Sequence, residues 1–480
     1  MLYLNSLYAD IIVDISHENL DKTYQYMIPD RFKDSIEIGA QVLIPFGKGN
    51  RQIKGYVLGL STIPKIDLRY MKEIIGPVEG AVVIEGHLIR LAHWMKETFG
   101  GTMNEALKTV IPVKKSVKQV EKRTILLKMD PTMAESQLEI FRRKKSVARV
   151  RLLEEILRNG KLDYDKAIQQ LKVSRSVINA LLDLGIVEIE SDKKYRNPIK
   201  QLNMEAKKIM LTEKQQFIVD DFTREYHTGI RKTYLLHGVT GSGKTEVYMG
   251  MIEEVIKEGK QVIVLIPEIA LTYQTVMRFL SRFGDRVTIM NSKMSAGERY
   301  DQSVRAKNGE VDICIGPRSA LFTPFRNLGL IILDEEHEGS YKSETIPKYH
   351  ARETAIQRAS DENASVILGS ATPSVESYAK ALMGTYKLYE LPSRVGTRML
   401  PKVWVVDLRE ELKAKNKSIF SRKLKELMME RLQKKEQIML FLNRRGYHKF
   451  INCRDCGEVI ECPHCEVSLT LHNNKKLICH

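Results

Sequence analysis

The chain has 480 residues, 43% hydrophobic and 28% charged, and its 76 Lys+Arg outweigh 60 Asp+Glu to leave a formal net charge of +16. That length exceeds one core and predicts roughly three or four globular, soluble units at about 150 residues each. No run approaches the ~18 apolar residues of a membrane span, no membrane partner is expected, and the basic excess suits a polyanion, whose neutralised phosphates release counterions. The opening MLYLNSLYADIIVDIS has no early Lys or Arg, and Asn5, Asp10 and Asp14 interrupt its apolar run. The expected location is the cytoplasm. Five of the six cysteines fall within 453–479, which in a cytosolic chain predicts metal binding rather than disulfides. Cys314, alone in VDICIG, reads as a small core residue.

Residues 1–112 carry the β-rich runs YADIIVDIS, AQVLIPFG and IKGYVLGL, punctuated by glycines at 39, 47, 49, 55 and 59. They predict a small β-barrel or sandwich. The lysine-rich KKSVKQVEKR (114–123) predicts a basic linker over 113–145, its charges solvated or touching DNA. Over 146–200, SVARVRLLEEILRNG, DYDKAIQQL and SRSVINALLDLG read as three helices ahead of strand-like IVEIE, a winged-helix pattern. Such a unit serves DNA docking and domain packing about equally often. From 201 to 395 the apolar runs TYLLHG, QVIVLIPE, VTIMNS, VDICIG, LGLIILDEE and SVILGSATP alternate with helical segments, the mark of a parallel α/β sheet. KVWVVDLR (402–409) and QIMLFLN (437–443) predict the strands of a second α/β lobe over 396–450.

Gly238-Val-Thr240-Gly241-Ser242-Gly243-Lys244-Thr245 fits G-x-x-x-x-G-K-[ST] between a strand and a helix pattern, the context a phosphate loop requires. Its glycines let backbone N–H groups surround the β-phosphate, Lys244 reaches the β/γ oxygens, and Thr245 ligates magnesium. Asp334 and Glu335 close LGLIIL, where a parallel sheet presents its ligands. Asp334 would hold magnesium and Glu335 polarise the attacking water. Together these residues predict an ATPase site.

Asp334-Glu335-Glu336-His337 and Ser370-Ala371-Thr372 resemble motifs II and III of superfamily-two helicases, a resemblance that assigns His337, Ser370 and Thr372 to coupling ATP and nucleic acid. Gln215, in LTEKQ, resembles the glutamine that reads adenine. Longer matches follow: GVTGSGKTEVY (238–248), PEIALTYQ (267–274), RSALFTPF (318–325), DEEHEGSYK (334–342), YHAR (349–352), GSATPSVES (369–377) and FLNRRGY (441–447). On these the chain resembles the PriA (primosomal protein N′) family from about residue 8 to 480. The resemblance implies a multidomain fold, in which a RecA-like helicase lobe 1 follows the β domain and winged helix, and an incomplete lobe 2 carries a zinc-binding insertion at 451–480.

By that resemblance Tyr341 and Tyr349 belong to an aromatic-rich loop sensing single-stranded DNA, with Lys342, Lys348 and Arg352 available to phosphates. Tyrosines packed in a lobe core are the competing reading. KTYQYMIP (22–29) and VLIPFGKG (42–49) resemble the family's domain that captures a 3′ DNA end, with Tyr24, Gln25, Gly47 and Lys72 as its pocket. Gln25 stands where the family commonly has aspartate, and Pro317 where threonine is usual.

Paired C-x-x-C knuckles, Cys453/Cys456 and Cys462/Cys465, are a zinc signal in their own right, because two thiolates from one turn fill half a tetrahedron. A single site from those four is one arrangement, with His464, His472 or His480 as substitutes. The family pattern instead groups Cys462 and Cys465 with Cys479, and expects two zinc ions per full-length chain. Because the sequence stops inside that motif, ahead of the motif that supplies an arginine finger, it reads as truncated: able to bind nucleotide and DNA and slow to hydrolyse ATP. The whole protein is expected to be a 3′-to-5′ helicase using ATP, Mg2+ and Zn2+. Its expected partners are forked and single-stranded DNA, restart proteins and single-stranded-DNA-binding protein. The rivals are a non-enzymatic fork-binding scaffold and another superfamily-two translocase.

Overall fold

The computed structural model describes residues 6–113, 120–196, 210–268, 270–396, 401–416, 418–441, 453, 458–471 and 476–479. The chain divides into two compact units, 1–397 and 398–480.

The first unit begins with β1 (Leu7–Val13), β2 (Thr23–Ile28), β3 (Gln41–Phe46), β4 (Arg51–Ser61) and β5 (Gly76–Pro77), an antiparallel sheet of order β2-β1-β4-β3-β5. Alternation along these strands turns Ala9, Ile11, Tyr26, Ile28, Val42 and Ile44 into one core. The 72–78 segment is bonded to both ends of that order. Met27 N donates to Lys72 O and Ile74 N to Met27 O, while Ile75 N donates to Leu43 O. Helices α1 (Gly86–Phe99) and α2 (Met103–Val110) follow, α2 opened by a Thr102–Glu105 capping box. Leu88, Leu91, Met95 and Leu107 of these helices share a core with Ile263, Leu333 and Leu368, which binds this domain to the large sheet.

Next come β6 (Val120–Leu127), α3 (Pro131–Arg143), α4 (Val147–Asn159), β7 (Lys161–Asp163), α5 (Tyr164–Gln169), α6 (Arg175–Asp183) and β8 (Val187–Lys194). The 113–145 linker reading fails here. β6 pairs with β8 from Val120↔Lys194 to Leu127↔Val187, and α3 buries Ala134, Leu138 and Phe141 in the same core as Leu153 and Ile178. An apolar Ile-Leu-Leu end and an antiparallel partner override a basic start. Residues 114–119 and 197–209 lie outside the described residues.

The third part holds α7 (Glu213–His227), β9 (Thr233–Gly238), α8 (Lys244–Lys257), β10 (Gln261–Leu265), α9 (Tyr273–Phe283), β11 (Val287–Ile289), α10 (Ala296–Lys307), β12 (Ile313–Gly316), β13 (Leu328–Asp334), α11 (Ala351–Asp361), β14 (Ser365–Ser370), α12 (Val375–Leu382) and β15 (Lys387–Leu391). Its seven strands, order β11-β12-β10-β13-β14-β9-β15, are all parallel. Apolar runs such as LIIL are buried from both faces, as a sheet wrapped by crossover helices requires. Cys314 is fully buried and accepts from Thr323 Oγ1 at 3.1 Å, and burial pushes its thiol up to about 12.

In the second unit α13 (Leu408–Lys413) and α14 (Arg422–Gln433) are helical, and β16 (Thr470–Leu471) pairs with β17 (Leu477–Ile478). The strands expected at 402–409 and 437–443 are absent among the described residues; 402–407 and 437–441 have no ladder partner, and Val405 and Met439 are more than nine-tenths exposed. An apolar run becomes a strand only beside another strand. Residues 442–450 lie outside the described set.

Candidate nucleotide site and nucleic-acid surface

The phosphate loop leaves β9 at Gly238 and enters α8 at Lys244. Gly241 and Gly243 take φ of 84° and 83°. A Cβ on Gly243 would stand 2.3 Å from Gln215 Nε2, and one on Gly238 2.6 Å from Ser242 Oγ. Only glycine tolerates both constraints. Lys244 is buried, donates from Nζ to Gly238 O at 2.9 Å, and lies 3.9 Å from Glu335 Oε1. Ser242 Oγ is buried without a hydrogen-bond partner. Thr240 is exposed in the loop, and Thr245 lies in the first turn of α8, where backbone N–H groups favour anions. A cradle free of side chains, an ammonium folded back on its own loop and an orphaned hydroxyl suit a phosphate group.

Asp334 ends β13, two strands from β9. Tyr248, one turn along α8 from Lys244, donates to Asp334 Oδ1 at 3.1 Å. Burial raises the Asp334 pKa, and the adjacent Glu335 charge adds to it. Glu335 takes φ of 49°, an uncommon backbone for a non-glycine residue, as the strand turns toward Lys244. His337 Nδ1 then lies 2.7 Å from Ser370 Oγ and 3.7 Å from Glu335, and Thr372 N donates to Ser370 Oγ at 3.0 Å. Lys244, Asp334, Glu335, His337, Ser370 and Thr372 therefore meet at the carboxyl edge of one sheet.

In this lobe four assignments do not survive as stated. Gln215 is buried with both amide ends occupied: Oε1 accepts from Thr212 N at 2.9 Å, and Nε2 donates to Ser242 O at 2.8 Å. In this structure it braces the phosphate loop rather than presenting its amide to a base. Tyr341 is 1% exposed and donates to Asp334 O at 2.7 Å and Leu265 O at 3.0 Å. Tyr349 is buried edge-on against Phe322, and burial pushes its hydroxyl up to about 12. Neither ring is free to stack on a base. Arg352 is buried, with Nη1 donating to Glu336 Oε2 at 2.9 Å and to Ser377 Oγ at 3.1 Å. Turning Arg352 outward to a phosphate would leave the fully buried Glu336 without its ion-pair partner, a strongly destabilising change. Lys342 stays exposed, with its ammonium 5.5 Å from the Phe99 ring centroid.

In the N-terminal domain Tyr24 packs edge-on against Phe46 at 5.1 Å, and the next residue, Gly47, accepts from Lys72 Nζ at 2.8 Å. Gly47 has φ of 74° and no atom within 4 Å of where a Cβ would sit. Tyr24, Gly47 and Lys72 are thus gathered. Gln25 is not with them. Strand alternation turns it to the other face, where Nε2 donates to Ile63 O at 3.3 Å and Oε1 accepts from Lys65 N at 2.5 Å.

Cys462, Cys465 and Cys479 place their sulfur atoms within 4.8 Å of one another, a thiolate set that suits a tetrahedral zinc. Cys453 is not in that group, and Cys456 lies outside the described residues, as do His472 and His480. These are the three cysteines the family pattern groups; the four-cysteine arrangement includes Cys456, outside the described residues.

Sequence reasoning overlooked Tyr248 and Glu336. The four-residue spacing from Lys244 was an available signal for the tyrosine. Nothing local distinguishes Glu336, fully buried, from its two acidic neighbours.

Family models match twice: DEAD/DEAH box helicase over residues 200–381, and the PriA 3′ DNA-binding domain over residues 10–112. The replication restart protein PriA of Bacillus subtilis is 34% identical over 538 residues, covering 98% of this chain and 67% of its own length. That of Haemophilus influenzae is 36% identical over 476 residues, covering 96% and 62%. A structure of RecG bound to three-way DNA junction covers 43% of this chain and 28% of that chain at 22% identity, with a TM-score of 0.30. The chain spans 62% to 67% of the length of these relatives. No helix among the described residues is long and apolar enough to cross a membrane. The chain belongs to the replication restart protein PriA family.

Proposed function

We propose that this chain supplies the ATP-binding lobe and the DNA 3′-end-binding domain of an ATP-dependent 3′-to-5′ helicase that recognises abandoned replication forks and initiates restart. The observation that carries the reading is the closure of Lys244 onto Glu335, 3.9 Å apart, at the sheet edge where His337 also meets Ser370. Lys244 binds the β/γ-phosphate oxygens; Thr245 and Asp334 would hold magnesium. Bound magnesium neutralises charge developing on the transferred phosphoryl group. Glu335 accepts a proton from the attacking water, and His337 relays its position to Ser370 and Thr372.

We read the sheet closed by 72–78 as a β-barrel and the 120–194 body as a winged helix. Tyr24, Gly47 and Lys72 would receive a DNA end by stacking and phosphate contact, and Lys342 a DNA phosphate. Cys462, Cys465 and Cys479 would hold a zinc ion with one further ligand, and 396–450 would begin a second lobe. Forked and single-stranded DNA are the proposed ligands; restart proteins and single-stranded-DNA-binding protein are the proposed partners, in the cytoplasm.

The test is Lys244→Ala in the full-length protein, with DNA-stimulated phosphate release and thermal unfolding measured together. Turnover should fall at least about a hundredfold with the fold retained, since one transition-state charge contact of this kind supplies roughly that factor. Unaltered turnover sinks the assignment.

A further inference from the structure

We propose that Tyr248 is a positioning residue that fixes the orientation of the Asp334 carboxylate, and that Gly369 exists as the seat for its hydroxyl. Tyr248 is 1% exposed, and its Oη donates to Asp334 Oδ1 at 3.1 Å. To reach that oxygen the ring crosses β14 where β14 has no side chain. Gly369 is the register partner of Asp334, and a Cβ placed on it would lie 1.5 Å from Tyr248 Oη. The added Cβ would belong to a central strand and could not yield, so the Tyr248 hydroxyl would have to leave its place.

The main chain of Asp334 is held independently. Tyr341 Oη donates to its carbonyl at 2.7 Å and to Leu265 O at 3.0 Å. What remains free is rotation of the carboxylate, and the Tyr248 hydroxyl stops it. The contact also joins two parts of the site that share no backbone. α8 carries Lys244 and Tyr248; β14 carries Gly369 and then Ser370, which bonds His337. A shift of the β14 edge would reach Asp334 through Gly369 and Tyr248.

The proposal rests on Asp334 as a magnesium ligand, so the measurement is the magnesium dependence of nucleotide binding. A fluorescent ATP analogue is titrated onto the wild-type chain, Tyr248→Phe and Gly369→Ala, at stepped magnesium concentrations and in EDTA, with melting temperatures recorded. Tyr248→Phe should raise the magnesium concentration for half-maximal binding about tenfold, the scale of one hydrogen bond to a charged group. Magnesium-free binding should stay unchanged. Gly369→Ala, which displaces the hydroxyl without removing it, should shift the same curve in the same direction. A wild-type magnesium dependence in either variant overturns the proposal, whatever its melting temperature. Failure of the wild-type chain to bind the analogue, with Lys244→Ala indistinguishable from it, overturns the nucleotide-site reading itself.

Discussion

The phosphate loop, 238–245, and the segment 338–352 each follow a strand of the same sheet, yet only the first behaves as its residue types suggest. In the loop, glycines are required by backbone sign and by steric closeness, and both constraints are local. In the later segment the residues are ambivalent. A tyrosine ring stacks on a base or fills a core, and an arginine meets a phosphate or a buried carboxylate. Tyr341 and Tyr349 filled the core and Arg352 met Glu336. The segment also packs on the N-terminal domain, where Phe99 underlies Lys342 and a Cβ on Gly101 would strike Ile346. Neighbours that distant in sequence decide which role an ambivalent residue takes.

The sharpest way to break this contrast is Arg352→Ala. It removes the ion-pair partner of the fully buried Glu336, so stability should drop by about 3–5 kcal/mol in chemical unfolding. Loss of DNA affinity at unchanged stability would restore the DNA-contact role.

Further along the same region, Arg358 of α11 faces His87 of α1 at 3.5 Å. Burial, and then that guanidinium, lower the His87 pKa from the ordinary 6.5 to about 4. Below pH 6.5 the unfolded chain takes up this proton first, so stability is full above 6.5 and declines as pH falls toward 4. Discounted for partial exposure, the decline should reach about 2 kcal/mol and vanish in His87→Gln. Equal slopes in both proteins would remove His87 as the cause.

Two glycines with left-handed backbones sharpen the contrast from the other side. Alanine costs about 1–2 kcal/mol at either from backbone strain alone. Gly243→Ala should additionally abolish binding of the ATP analogue, since its Cβ collides with Gln215. Gly47→Ala, with open space around it, should leave nucleotide binding intact.

The smallest effect belongs to Lys72→Ala. Its exchange for a neutral side chain should change stability by under about 1 kcal/mol, as for other surface substitutions. It should also lower by about one the slope of log affinity for a DNA 3′ end against log salt. An unchanged slope would remove Lys72 from the DNA-contacting surface.

From residue order alone came the parallel sheet, the position of its acid pair and the glycine cradle, because strand hydrophobicity and backbone sign are short-range properties. The family resemblance, not residue order, grouped Tyr24, Gln25, Gly47 and Lys72, and three of the four are gathered. Strand pairing decided what it could not: β6 and α3 belong to a folded body because β8 lies alongside them, and Gln25 faces away from Tyr24 because β2 alternates in its sheet. Tertiary packing alone turned Gln215 onto the phosphate loop, sank Tyr341 beneath Asp334, and set Tyr248 over Gly369. Each of those contacts joins residues 7 to 121 positions apart, through donors whose reach depends on which strands become neighbours, and strand order is a property of the whole sheet.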